Sequence, residues 1–341
     1  LLLSSLAASF MDSYGVVISD EDHTDAIGYA VHDFVGASLG QTGISDVDLP
    51  VDAEFAGQGV AIHAVSTSGP GIGTWEYQID SGAWTLFTLL PGQSLLLKAT
   101  DHIRFVPDGL NATTATFSYY LWDGASGSAG TQVDASTRGG GTAFSSASDT
   151  ATLTVTALND APVADLNGGT AGIDGSAEFK PRGNPAQVFG SVAISDVDSG
   201  DQITGATVSL NADTALDNLF DTTYETLYSS SGASFTSGGA TLSISGNGTG
   251  THGLTDATVL NISGTASAAV YQAALQTVLY DNTNPNAYAG VRQVSLTVHD
   301  DAATAAGSGS ADSAVATVNL AVNWSPVVDL SGEAISDSNA D

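Results

Sequence analysis

The residues of this chain best suited to chemistry are aspartates that recur two positions apart after isoleucine and serine. The pattern occurs as Ile44-Ser45-Asp46-Val47-Asp48 and as Ile194-Ser195-Asp196-Val197-Asp198, and Ile18-Ser19-Asp20-Glu21-Asp22 is a variant of it. Because side chains alternate along an extended chain, Asp-x-Asp places two carboxylates on the same side. Paired carboxylates, completed by carbonyl oxygens, are the ligands that Ca²⁺ prefers. We therefore expect Ca²⁺ as the cofactor.

Further oxygen ligands stand where predicted strands end. Since strand termini gather at the ends of a β-domain, these side chains are expected to join the Asp pairs. The predicted metal ligands are Asp46, Asp48, Asp123, Asn159, Asp160, Asp196, Asp198, Asp201, Asp300 and Asp301. The alternative for any single aspartate is that it caps a turn or solvates a loop. The recurrence of the pattern favours a metal.

The charge balance limits the classes of partner. The chain has six Lys and Arg against 37 Asp and Glu, which gives a formal net charge of −31. Such a chain repels nucleic acid and anionic membrane surfaces, so neither is an expected partner. The absence of Cys excludes disulfides and Cys-type zinc sites. Adaptation to high salt is an alternative explanation of the acidity.

The stretch 154–170, TVTALNDAPVADLNGGT, resembles a joint between two β-domains. A strand ends, Pro162 interrupts the ladder, and an extended segment follows. The same order of residues returns after 164 positions (323 − 159 = 164). The matching pairs are Asn159 and Asn323, Pro162 and Pro326, Asp165 and Asp329, and Gly168 and Gly332. The chain is therefore predicted to be a tandem array with a long period.

This period divides the chain into three parts. Residues 1–158 are predicted to form a first repeat that is truncated at its N-terminus, with 1–43 unassigned. Residues 159–322 form a second repeat, and 323–341 begin the next one. The second joint carries Trp324 where the first carries Asp160. If one joint binds calcium, the sequence favours the one at Asp160.

Short alternating segments indicate strands throughout both repeats. In the first repeat they are Gln58–Val65, Gly73–Asp80, Ala83–Leu90, Ser94–Ala99, His102–Val106, Thr114–Trp122 and Thr150–Ala157. In the second they are Val188–Ile194, Ile203–Leu210, Ala240–Ser245, Val259–Ser263, Val291–Val298 and Ala314–Val322. Helical spacing occurs once, at Ser267–Leu279. The predicted fold class is all-β, with two tandem antiparallel β-sandwich domains and one short helix in the second.

Several of these motifs are similar to the cadherin-like and immunoglobulin-like repeats of large bacterial adhesins and RTX-type surface proteins. They are GTWEYQIDSGAW, LLLKATDHIRFVPD and AFSSASDTATLTVTALNDAP in the first repeat, and LNISGTASAAVYQAALQTVLYDNTNPN and VRQVSLTVHD in the second. The resemblance implies an extracellular rod at a bacterial surface that Ca²⁺ stiffens. It implies neighbouring repeats of the same chain as partners, with a host or biofilm surface ligand as a second candidate.

The sequence predicts that the chain is not an enzyme. Its histidines are scattered, and neither a Gly-x-Ser-x-Gly elbow nor an HExxH motif occurs. A carbohydrate- or protein-binding module is an alternative function, because Trp75 and Trp84 flank a predicted hairpin turn and aromatic pairs can stack on sugars. Cross-strand aromatic pairs more often cover a core edge. Accessory domains of a secreted enzyme are a further alternative.

Overall fold

The computed structural model describes residues 2–3, 8–9, 20–22, 27–36, 44–45, 59–198, 200, 202–212, 223–246, 258–300 and 312–324. These residues form two compact units. The first unit reaches Asn159 and also includes Val197 and Asp198, while the second unit begins at Asp160. Each unit is built from β-strands around its own hydrophobic core.

The first unit contains twelve short or medium strands and one helix in its described residues. They are β1 (Leu2–Leu3), β2 (Ala8–Ser9), β3 (Tyr29–Ala30), α1 (Val31–Gly36), β4 (Ile44–Ser45), β5 (Gly59–Ser68), β6 (Gly73–Gln78), β7 (Thr85–Leu86), β8 (Ser94–Lys98), β9 (His102–Pro107), β10 (Thr113–Trp122), β11 (Gln132–Val133) and β12 (Phe144–Val155). One sheet has the order β11-β8-β5-β10-β12-β2 and a second has the order β3-β9-β6-β7. β1 and β4 pair separately.

The first core lies between these two sheets because each strand turns alternate residues inward. β10 shows the alternation most clearly, since its first, third, fifth and seventh residues are buried. Trp75 of β6 packs edge-on against Phe105 of β9 and Phe117 of β10, with ring centroids 5.2 and 5.1 Å apart. Contact between rings from the four-stranded and six-stranded sheets makes the unit a β-sandwich.

The second unit contains twelve strands and one helix in its described residues. They are β13 (Val163–Asp165), β14 (Gly175–Phe179), β15 (Ala186–Gln187), β16 (Ala193–Ser195), β17 (Ile203–Ala212), β18 (Glu225–Ser229), β19 (Ser234–Ser237), β20 (Ala240–Gly246), β21 (Val259–Ala266), α2 (Ala268–Leu275), β22 (Val278–Asn282), β23 (Gly290–Asp300) and β24 (Ala316–Val322). A seven-stranded sheet has the order β14-β24-β23-β17-β21-β20-β19, and a three-stranded sheet has the order β15-β22-β18. β13 pairs with β16.

Both sheets of the second unit contribute to one core, which also receives the buried face of α2. Tyr271 and Leu275 of α2 are fully buried, and the Tyr271 hydroxyl donates a hydrogen bond of 2.6 Å to the Gly264 carbonyl. Most pairings in the large sheet are antiparallel. The exception is β14, which runs parallel to β24 from the Gly175–Val318 pair to the Phe179–Val322 pair.

Several local predictions differ from the structure. The predicted strand Val188–Ile194 is wrong, because a turn at Gly190-Ser191 separates β15 from β16 while Val188 and Val192 enter the core. The predicted helix in the second unit exists, but it ends at Leu275. Val278 begins β22 instead, since its alternating side chains enter the core between the sheets. The first unit contains α1, which the sequence did not predict. No helix in the described part of the chain is long and apolar enough to cross a membrane.

Candidate metal centre

Glu21 is held beside the residues that follow β12. Asp20 forms an isolated parallel bridge with Thr156, just after the end of β12. The Glu21 amide donates a 3.1 Å hydrogen bond to the Thr156 carbonyl, and the Leu158 amide donates one of 2.6 Å to Glu21 Oε1. The Glu21 carboxylate is therefore fixed by backbone contacts, and the residue is only 2% exposed.

Glu21, Asp160 and Asp198 form an acidic triad. One carboxylate oxygen from each residue lies within 4.8 Å of the other two. Asp160 is two positions after Leu158, which binds Glu21, and Asp198 is three positions after the end of β16. Asp198 is 6% exposed and Asp160 is half-buried. The fold thus brings together acids that are far apart in the sequence.

The chemistry of the triad suits a hard cation. At an effective dielectric constant of about 20, two unit charges at such a separation repel by about 3 kcal/mol. A divalent cation that shares the three carboxylates converts this repulsion into attraction. All the ligand atoms are carboxylate oxygens, which fits Ca²⁺ or Mg²⁺ better than zinc, whose protein sites are rich in Cys and His. Since Ca²⁺ takes six to eight oxygens, neighbouring carbonyl groups and water would complete its shell.

Only part of the predicted ligand set meets at the triad. Asp160 and Asp198 are brought together, while Asp196, two positions before Asp198 and half-buried, lies outside the group. Asn159 is half-buried and directly precedes Asp160. Asp300, at the end of β23, is 1% exposed and also lies outside it. The predicted ligands that fall outside the described residues are Asp46, Asp48, Asp201 and Asp301.

Asp123 matches the alternative interpretation for a single aspartate. Its Oδ1 accepts a 2.8 Å hydrogen bond from the Ala125 amide, and its own amide donates to the Ala143 carbonyl at 3.1 Å. An aspartate that binds the amide two residues later caps a turn. Asp123 therefore stabilises the start of the loop after β10, and it is not among the triad's ligands.

Glu21 is the functional candidate that the predicted ligand set omits. Its sequence signal is the variant Ile18-Ser19-Asp20-Glu21-Asp22, which repeats the pattern seen at Asp196 and Asp198. The motif alone does not show which of its three acids turns inward. In the structure Asp22 is exposed and Glu21 is buried, because the bridge of Asp20 to Thr156 orients the segment.

Five of the six basic side chains have partners of their own. Three make ion pairs or hydrogen bonds with carboxylates, and two lie over aromatic rings. The pairs are Lys98 with Asp80, Arg104 with Glu76, Arg292 with Glu225, Arg138 over Tyr120, and Arg182 over Trp324. With 37 acids in the chain, most of the negative charge is left for cations from solution to balance.

Trp75 and Trp84, the aromatic pair considered as a carbohydrate-binding site, have structural roles. Trp75 is 4% exposed and lies in the first core, as the core-edge interpretation expected. Trp84 is covered by the guanidinium of Arg104, 4.2 Å from the ring centroid. A side-chain carbon at Gly28 would lie 2.4 Å from the Trp84 indole, so that glycine packs against the ring. The two tryptophans do not form a shared exposed face.

Comparisons with known proteins give distant structural neighbours. No protein-family model matches the chain, and no curated protein matches it. One similar solved structure is that of zebrafish RET cadherin-like domains 1 to 4, with 9% identity and a TM-score of 0.22. That match covers 77% of this chain and 42% of the zebrafish chain, so this chain spans less than half of its length.

A second similar structure is CfaE, the adhesive subunit of CFA/I fimbria of enterotoxigenic Escherichia coli. It is 12% identical with a TM-score of 0.26, and the match covers 81% of this chain and 82% of CfaE. Both TM-scores are low, so the architecture and the candidate site rest on the sheets and distances described above. The geometry itself shows that the described residues are mostly β-strands and that they include an acidic triad with two buried members and one half-buried member.

Proposed function

We propose that this chain is a non-catalytic structural segment of a large secreted or cell-surface bacterial adhesin. In this proposal Ca²⁺ binds acidic clusters at domain ends and rigidifies the array, and neighbouring repeats of the same chain are its partners. The acidic triad of Glu21, Asp160 and Asp198 carries the proposal. Its oxygens come from three separate parts of the sequence.

The burial of the triad determines how Ca²⁺ would act. Glu21 and Asp198 are almost fully removed from water, so in the absence of a cation their negative charges destabilise the folded state. A ligand that binds only the folded state stabilises it by RT ln(1 + [L]/Kd), about 2.7 kcal/mol at a hundredfold excess over Kd. Ca²⁺ should therefore raise the unfolding temperature.

The test compares the wild type with Asp198→Asn. We expect CaCl₂ to raise the wild-type Tm relative to EDTA, and the variant to lose most of this rise. In EDTA the variant should unfold at the same temperature as the wild type or higher, since one repelling charge has been removed at nearly constant shape. Differential scanning calorimetry gives the Tm, and isothermal titration calorimetry gives the calcium stoichiometry.

Asp22→Asn is the matched control, because Asp22 is the exposed neighbour of Glu21. This variant should keep the calcium response. Equal wild-type melting temperatures in CaCl₂ and EDTA would contradict the proposal, as would an equal loss of response in both variants. A rise that NaCl at the same ionic strength reproduces would instead favour high-salt adaptation.

A further inference from the structure

We propose that Trp324 anchors a metal-independent clamp that fixes the chain as it leaves β24, the last strand in the described part of the second unit. We call this group the exit clamp. It consists of Asn323 and Trp324, together with the residues that hold them, namely Glu178, Phe179, Arg182, Pro285 and Ala287. All seven residues belong to the second unit.

The clamp begins directly after β24. The Asn323 amide donates a 3.0 Å hydrogen bond to the Phe179 carbonyl, and Asn323 Nδ2 donates one of 3.3 Å to Glu178 Oε1. The next residue turns its indole toward another element, and Trp324 Nε1 donates a 2.9 Å hydrogen bond to the Ala287 carbonyl. Two consecutive residues are thus bonded to two different parts of the unit.

Arg182 covers the indole of Trp324 and closes the clamp. Its guanidinium carbon lies 5.0 Å from the centroid of the ring, within the range of cation–π attraction. Its Nη2 also donates a 2.8 Å hydrogen bond to the Pro285 carbonyl. Arg182 and Trp324 therefore bind the same turn, whose own structure is set by the Ala287 amide donating to the Asn284 carbonyl at 3.1 Å.

The backbone of Arg182 indicates that its side chain matters. Its φ is 64°, in the left-handed region that is unfavourable for residues with a Cβ atom. Asp80, with φ 51°, is the other non-glycine residue of the described chain in this region. A glycine would adopt this conformation freely. The contacts of the guanidinium with Trp324 and Pro285 offset the free-energy cost of this unfavourable backbone conformation.

The exit clamp differs in chemistry from the acidic triad at the same position of the repeat. Trp324 is offset from Asp160 by 164 residues (324 − 160 = 164), and an indole offers one N–H donor and no ligand for a hard cation. Stacking and hydrogen bonding therefore replace carboxylates here. The clamp itself is inferred from the contacts described above. Only its contrast with a domain end that binds calcium rests on the proposed function.

Indole N–H exchange measured by ¹⁵N NMR tests the clamp, since the chain has four tryptophans. Trp324→Phe identifies the resonance. We expect the Trp324 indole N–H to exchange at the same rate in CaCl₂ and in EDTA. Arg182→Gly removes the unfavourable φ of residue 182, but it also removes the stacking on Trp324 and the hydrogen bond to Pro285. Exchange of the Trp324 indole N–H should therefore become about tenfold faster. Arg182→Gln, which keeps a side chain at this position, should act in the same direction.

Asp80→Gly is the control, because it relieves the other left-handed residue and should leave Trp324 exchange unchanged. The Trp122 indole, which donates to the Ser126 carbonyl in the first unit, is an internal reference. Unchanged exchange in both Arg182 variants would overturn the clamp, and so would a wild-type Trp324 that exchanges as fast as free indole. A calcium-dependent Trp324 rate would overturn its metal independence. Failure of the calcium proposal would appear separately, as a Tm that does not respond to Ca²⁺.

Discussion

At the scale of single residues, His63 has a half-buried ring beside a positively charged side chain. It stacks on Tyr120 with centroids 4.4 Å apart, and the Arg138 guanidinium lies 4.4 Å from the centroid of the same tyrosine. Arg138 also donates a 2.8 Å hydrogen bond to the Tyr120 hydroxyl. Burial, and then the positive charge of Arg138, lower the pKa of His63 below its ordinary value of 6.5.

This pKa shift predicts a pH dependence of stability. Because the folded state disfavours the protonated ring, the contribution of His63 is fully present above pH 6.5 and is lost as the pH falls through the lowered pKa. An NMR titration of the His63 ring should give a pKa below 6.5. Arg138→Gln should raise it, since one of the two causes has been removed.

Lys180→Gln is the control for that titration, because Lys180 is exposed in the second unit and is not a cause of the shift. It should leave the His63 pKa unchanged. A ring that titrates at or above 6.5 in the wild type would show that the stack does not disfavour the imidazolium.

The candidate site was partly predictable at this scale. Asp160 and Asp198 follow from residue type, the repeated Asp-x-Asp pattern and the joint before Pro162. Glu21 did not follow, because three acids in a row look equivalent until Thr156 and Leu158 fix one of them by backbone hydrogen bonds. Burial of a particular carboxylate depends on strand pairing, and that pairing cannot be inferred from a short sequence motif.

At the scale of elements, a buried ion pair joins the two sheets of the second unit. Glu225 lies at the start of β18 in the three-stranded sheet, and Arg292 lies in β23 of the seven-stranded sheet. Arg292 Nε and Nη2 donate to the two oxygens of Glu225, each at 2.8 Å, and the Tyr280 hydroxyl donates to Oε2 at 2.9 Å. Burial raises the pKa of Tyr280, so it remains a donor.

Breaking this pair from one side should be costly. The side chains of Arg292 and Glu225 are 3% and 1% exposed, so Arg292→Met would leave a buried carboxylate without its cation. We expect a loss of about 3 to 5 kcal/mol in the free energy of unfolding of the second unit, measured by urea denaturation. Adding Glu225→Leu should recover much of this loss.

Arg104→Met in the first unit is the matched comparison. Arg104 pairs with Glu76 at 2.7 Å, but their side chains are 14% and 23% exposed. Water can solvate the remaining carboxylate, so the loss should be clearly smaller than for Arg292. Similar losses in both units would show that burial does not govern the cost of removing the cation.

The strands were largely predictable where alternation is long, as in β10 and β23. They were not predictable where a turn interrupts an apolar run, as at Gly190-Ser191, or where polar residues enter a strand. β12 begins at Phe144, before the predicted start at Thr150, because Ser145 is buried and its Oγ accepts a 2.9 Å hydrogen bond from the Leu121 amide. A serine-rich stretch resembles a loop until its strand partner is known.

At the scale of the whole molecule, the all-β class followed from alternating side chains, sparse helical spacing and frequent turn residues. The order of strands in each sheet did not follow. β14 and β24 are neighbours although Gly175 and Val318 are 143 positions apart (318 − 175 = 143). Such long-range pairing depends on how two sheets cover one core. Neither strand contains a residue whose type identifies the strand with which it pairs.

The parallel pairing of β14 with β24 has a consequence for a chain under tension. β14 is the second strand of the second unit along the chain, and β24 is its last strand in the described residues. Force that draws the N-terminal end of β14 away from the C-terminal end of β24 slides the two strands past each other. Their five residue pairs, from Gly175–Val318 to Phe179–Val322, are then loaded together, whereas the antiparallel β19–β20 hairpin would open one pair at a time.

Single-molecule force spectroscopy can measure this effect. Ala177→Pro interrupts the parallel pairing and should lower the unfolding force of the second unit, while Thr236→Pro in the edge hairpin should change it little. Equal changes in both variants would show that another contact bears the load. If the expected result is found, the unit resists extension through the pairing of β14 with β24, a property set by topology that would persist whether or not an ion is bound.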